Sequence, residues 1–180
     1  MLNAFDLFFF QNTPHFHLFF LKILTLCADP KIMLLFFGLL SFVLLLKDKI
    51  SGVLSKPFYF FVLTNLVMLC CGILKILCGR ARPLLMDENI VGFTFFTVKH
   101  AFLSFPSSHA AIAAAFAHTL HNLFGFSRLI FFYPIVIMVT RLSLREHFAT
   151  DVFAGFAIGI FISTLLSSIS HKKYYLHKKN

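Results

Sequence analysis

Charge is scarce in this chain. Only 13% of its 180 residues are Asp, Glu, Lys or Arg, and seven are acidic, against roughly a quarter charged in soluble domains. Ordinary soluble globular character is thereby excluded. Metal-ligand spacing is also missing: Cys27, Cys70, Cys71 and Cys78 form no Cys-x-x-Cys pair, and they read as small apolar core residues. No linker, low-complexity stretch or internal repeat divides residues 1–180, so one domain is expected. The first ten residues carry Asp6 and no basic region, so no cleavable signal peptide is expected.

What the chain has is hydrocarbon. It is 59% hydrophobic, with 27 Phe, and its apolar runs are those of an integral membrane protein. The expected fold is all-α, a membrane-embedded bundle of five to six transmembrane helices. Five spans are legible: Ile32–Leu46, Pro57–Leu77, Pro106–Leu123, Ser127–Leu142 and Thr150–Ile169. Residues 1–28 are apolar but broken by Asp6, Gln11, Asn12, Pro14, His15, His17 and Lys22. A crossing there leaves many polar groups in hydrocarbon, so an interfacial amphipathic segment is expected, with a sixth span as the alternative.

The net charge of +9 reports topology and anionic headgroups rather than nucleic acid. Lys47, Lys49, Lys56, Arg128, Lys172, Lys173, Lys178 and Lys179 fall on one face, opposed there by Asp48 alone. By the positive-inside rule that face is cytoplasmic, and residues 171–180 form a basic cytoplasmic tail. The opposite face then looks outward. Onto it fall Lys75, Arg82, His109, Arg141, His147 and Asp151, from segments far apart in sequence.

These residue types suit one chemistry. Arg82 and Arg141 offer guanidinium forks for phosphate oxygens, and Lys75 adds a point charge. Ser107 and Ser108 stand where a helix presents unpaired amides, an anion site by nature. Pro106 is expected in the first turn, where its missing N–H costs little. His147 and Asp151 are four apart, so the carboxylate can fix the imidazole tautomer and free the other nitrogen for attack. His109 can give a proton to a leaving alcohol. No metal and no cofactor is called for, since fixed cations already stabilise a transferring phosphoryl group. Arg80 and Arg145 flank these residues and read as headgroup contacts or solvated charges. His100 is within reach of substrate, and His118 and His121 lie far from the site. Residues 87–105 are expected at the interface, shaping a lipid entrance.

Three segments carry a family resemblance. KILCGRARP at 75–83 is similar to the K-x6-RP signature of the type-2 phosphatidate phosphatase superfamily. PSSH at 106–109 resembles its PSGH signature, and TRLSLREHFATD at 140–151 its SR-x5-H-x3-D signature. Ser108 stands in place of Gly and Thr140 in place of Ser. The resemblance implies a helical bundle shared with vanadium haloperoxidases and bacterial acid phosphatases. It implies metal-independent hydrolysis through a phosphohistidine, with His147 as nucleophile, Asp151 orienting it and His109 as general acid. Lys75, Arg82, Ser107, Ser108 and Arg141 would bind phosphate. The implied partners are membrane lipids and a lipid phosphate substrate: undecaprenyl pyrophosphate, phosphatidylglycerol phosphate, phosphatidate or lipid A phosphate. A bacterial inner membrane with the site facing the periplasm is the implied location. Phosphotransfer to a second acceptor, or non-catalytic lipid-phosphate transport, are the alternatives. Oligomeric state is not legible.

Overall fold

The computed structural model describes residues 3–14, 19–46, 56–88 and 90–177. His15, His17, Lys47, Asp48, Lys49, Lys178 and Lys179, with the side chains of Lys56, Lys172 and Lys173, lie outside the described residues. The described residues form seven α-helices, in order: α1 (Ala4–Asn12), α2 (Phe19–Leu26), α3 (Pro30–Leu46), α4 (Lys56–Cys78), α5 (Ser108–Phe124), α6 (Phe132–Ser143) and α7 (Ala149–His177). Among the described residues the only β contact is an isolated bridge between Arg80 and Phe93.

Local chemistry sets the helix ends. Asp29 Oδ1 accepts from the amides of Lys31 and Ile32, at 2.9 and 3.1 Å, with Pro30 first in α3. That is an Asp N-cap followed by a proline that has no N–H to orphan. Ser107 caps α5, and Gly125, at φ +69°, closes it with a bond to His121 O. A left-handed glycine there meets none of the Cβ penalty other residues pay. Pro106 therefore precedes the cap rather than opening the helix, a correction of one turn position.

The alanines of α5 explain its place. Ala110, Ala111, Ala113, Ala114, Ala115 and Ala117 are all buried, so the helix is enclosed on nearly every side. α7 crosses it at very short range. A Cβ on Gly155 would fall 2.3 Å from Ser107 O, and one on Gly159 2.0 Å from Ala111 O. Small residues four apart let backbones approach this closely in membrane helix pairs. Midway along α5, Phe116 packs against Phe37 and Phe60, with Phe60–Phe116 centroids 4.4 Å apart.

Among the described residues, three stretches are long and apolar enough to cross a membrane: Phe19–Val43, Pro57–Cys78 and Ala149–Ile169. Their outer faces are apolar too, with Leu35, Leu39, Leu69 and Phe161 each more than 60% exposed. The chain is an all-α integral membrane protein. The first stretch begins well before Ile32, because α2 and α3 are interrupted only by the turn at 27–29. At 17 and 12 residues, α5 and α6 are shorter than the ~20 a full crossing takes.

Candidate active site

Two arginines two residues apart, just beyond the end of α4, take different directions. α4 ends at Gly79, φ +55°, whose amide bonds Lys75 O at 2.9 Å. A Cβ there would sit 1.8 Å from Thr94 O, so the position requires glycine. Beyond this turn Arg82 faces a cavity, while Arg80 turns inward and is 6% exposed. The segment 90–105 is pinned back onto the turn by backbone bonds, among them Thr94 N–H to Gly79 O at 2.7 Å and Ser104 N–H to Arg80 O at 3.0 Å.

The cavity has a volume of about 380 Å³. Lys75 enters it from the last turn of α4, His109 and Ser108 from the first turn of α5, and Arg141 from the last turn of α6. Arg82 and His147 complete it from loops. These six are the sequence-derived candidates that share one space. Ser107 and Asp151, both fully buried, lie behind its wall. Ser107 Oγ accepts from Ala110 N–H at 3.5 Å, and the Ser107 amide donates to Asp151 O at 2.9 Å. Ser108 has an ordinary helical backbone, and the only non-glycine positive φ values described are at Phe96 and Arg145. Its side chain therefore costs no backbone strain.

Asp151 is held by three donors. Oδ2 accepts from Ser104 Oγ at 2.6 Å and from the Phe148 amide at 2.8 Å, and Oδ1 from Arg80 Nη1 at 2.6 Å. The Phe148 bond is half a capping box at the start of α7. His147 Nδ1 stands 3.7 Å from Asp151 Oδ2 and has no other partner among the described residues. That is an ion-pair distance, longer than a hydrogen bond, of the kind that tightens when a ligand binds. Burial pushes the His147 imidazole down to about 3, an effect that Lys75 and Arg141 reinforce and Asp151 opposes. It is therefore neutral at physiological pH.

Two acids meet the cations. Glu146 Oε2 takes Arg82 Nη1 and lies 3.5 Å from Arg141 Nη2, so one carboxylate occupies both guanidinium forks. Arg141 Nε has no partner among the described residues. Asp29 lines the cavity, its Oδ2 3.5 Å from His109 Nε2. Lys75 Nζ donates to Leu103 O at 2.7 Å and Ser104 O at 3.3 Å. His100 lines the cavity beside Arg82, whose Nε donates to its carbonyl at 3.2 Å. The Arg82 charge, with some burial, holds the His100 imidazole below its usual value.

The comparison with known proteins is decisive at the family level. Residues 56–175 match the PAP2 superfamily. The chain belongs to it. A lipid A 1-phosphatase of Rhizobium etli is 34% identical over 113 residues, 62% of this chain and 49% of that protein. A lipid A 1-phosphatase of Rhizobium johnstonii is 35% identical over 103 residues, 56% of this chain and 42% of that protein. The chain thus spans about half the length of the curated relatives it matches. No solved structure gives a significant match.

Several groups around this PAP2 site are not those the sequence singled out. Arg80 is no headgroup contact: it is buried between two carboxylates. Arg145 stacks 4.3 Å over the Phe10 ring rather than standing solvated. Asp6, Asp29 and Glu146 also lack any spacing signal. Their one clue is scarcity, since an acid in so apolar a chain is costly unless paired. His118 and His121 sit in the second half of α5, where His118 Nδ1 lies 2.8 Å from Ser163 Oγ and His121 Nδ1 lies 2.7 Å from Phe126 O.

Proposed function

We propose that this chain is a metal-independent lipid phosphatase that works through a phosphohistidine on His147. The reading is supported above all by one cavity that unites Lys75, Arg82, Arg141 and both histidines, with Asp151 behind His147. Phosphate oxygens would lie on the two guanidinium groups, on Lys75 Nζ and on the opening amides of α5, displacing Glu146 from the forks. His147 Nε2 attacks phosphorus, the bond to the ester oxygen breaks, and His109 delivers a proton to that oxygen. Water then attacks phosphorus with His109 as base, the N–P bond breaks, and inorganic phosphate leaves. The fixed cations stabilise charge on the transferring group at both steps.

The names of the relatives support testing a lipid A-type phosphate as the first candidate substrate, ahead of undecaprenyl pyrophosphate, phosphatidylglycerol phosphate and phosphatidate. The lipid chains stay in the bilayer, and the headgroup enters the cavity. Five to six crossings with the lysine-rich ends inward would set the site on the periplasmic face of a bacterial inner membrane, with residues 1–180 acting as one domain.

The test is phosphate release by detergent-purified protein from those four lipids in EDTA, beside His147→Ala. Release that persists in EDTA and is lost in the variant is expected. Release abolished by EDTA, or retained by His147→Ala, refutes the mechanism. Transfer to an added alcohol without free phosphate favours the phosphotransferase instead.

A further inference from the structure

The densest buried charge outside the cavity lies directly behind the nucleophile. Asp6 of α1 is fully buried, well before residue 56 where the family match begins. Its Oδ2 is 2.5 Å from Arg80 Nη2, while Arg80 Nη1 is 2.6 Å from Asp151 Oδ1. Asp6 also accepts from Thr150, through the amide to Oδ1 and the hydroxyl to Oδ2, each at 2.8 Å. Thr150 immediately precedes Asp151. The Arg80 guanidinium lies 4.6 Å over the Phe148 ring, so this network grips both residues that flank the start of α7. Asn3 fixes Asp6 in turn, accepting its amide at 2.7 Å.

The charges explain why two carboxylates are needed. Arg80 paired with Asp151 alone would cancel the charge that Asp151 presents to His147. A second carboxylate on the far fork leaves the three groups with a net charge of minus one. When Nε2 bonds to phosphorus the imidazole becomes cationic, with its Nδ1 proton toward Asp151. A cluster of net negative charge in a dry site stabilises that cation, and a neutral pair does so far less.

We propose that Asp6 is a positioning residue of the phosphoryl transfer, acting through Arg80 to keep Asp151 seated and electrically effective against His147. The inference rests on the phosphohistidine reading, and it makes α1 part of the catalytic machinery although α1 precedes the family match.

The test compares wild type, Asp6→Asn, Arg80→Gln and the double variant in detergent. It measures kcat, KM and the thermal unfolding midpoint. Asp6→Asn should lower kcat about tenfold, the scale of coupling within one buried network. KM should hold, because the cavity cations are untouched. Asp6→Glu should recover part of the loss. Arg80→Gln strands two buried carboxylates and should also be slow, but the double variant removes both charges and should turn over faster than either single one. Should Asp6→Asn fail to fold, the double variant carries the test alone: it must be folded and active. Wild-type kcat in Asp6→Asn, loss confined to KM, or a double variant no better than its slower parent overturns the role of Asp6. A silent wild type overturns the phosphatase reading and this inference with it.

Discussion

His109 Nε2 lies 3.5 Å from Asp29 Oδ2, and both side chains line the same cavity. Burial, with Arg141 beside it, holds the His109 imidazole well below its usual value, and Asp29 opposes them by favouring the protonated form that a proton donor needs. Asp29→Asn should therefore slow release from an alkyl phosphate about tenfold, a fraction of what general acid catalysis supplies. A p-nitrophenyl ester, whose leaving group needs no proton, should be nearly unaffected. Asn still caps helices well, so α3 should survive. Equal losses on both esters would refute the pairing.

Glu146 already sits on Arg82 and Arg141, the proposed phosphate ligands. Glu146→Gln removes the competing charge and should tighten inhibition by inorganic phosphate several-fold, since charged hydrogen bonds are about twice as strong as neutral ones. A phosphate inhibition constant unchanged from wild type would show that the carboxylate does not guard the forks.

The pH profile follows from His147. Burial disfavours imidazolium, so its value falls to about 3, and the neutral form is the one that the proposed attack needs. Protonation of the proposed nucleophile thus competes with attack only near pH 3, below the working range. After correction for the ionisation of substrate phosphate, kcat/KM should show no acid limb between about pH 7 and 5, rather than fall at the ordinary histidine value near 6.5. A residual acid limb near pH 6.5 that persists in Asp29→Asn would place the nucleophile's titration there.

The α5–α7 crossing allows no side chain. Gly159→Ala puts a methyl 2.0 Å from Ala111 O by backbone geometry, and overpacking of this kind costs about 1–3 kcal/mol. The unfolding midpoint in detergent should fall. Gly155→Ala, 2.3 Å from Ser107 O, should in addition lower turnover, because it moves Asp151 relative to His109. Wild-type midpoints in both would mean that the helices separate freely.

Much of this was legible in the sequence. Runs of apolar residues with few charges identify membrane helices, since backbone satisfaction in lipid leaves little choice. Lys75, Arg82, His109, Arg141 and His147 were legible as a group because ionisable side chains in so apolar a chain are costly. What could not be read was direction. Arg80 and Arg82 both follow Gly79 and are chemically alike, yet one is buried and the other faces the cavity, and a positive φ is not written in a sequence. Asp6 and Asp29 pair with partners 74 and 80 positions away, separations that no local periodicity reports.

The carboxylate of Glu146 in the guanidinium forks also bears on selectivity. A bilayer is a concentrated solution of phosphodiesters, each with one negative charge, packed around any protein embedded in it. An open tricationic pocket would be silted up by its own solvent. With a resident anion already seated, an incoming group must outbid one full charge. A terminal monoester, at about −1.5 to −2 near neutral pH, would do so, and a diester with its single charge would not. On the proposed function, discrimination between the rare monoester and the sea of diesters would then come from Glu146 itself, before any lipid chain or sugar is recognised.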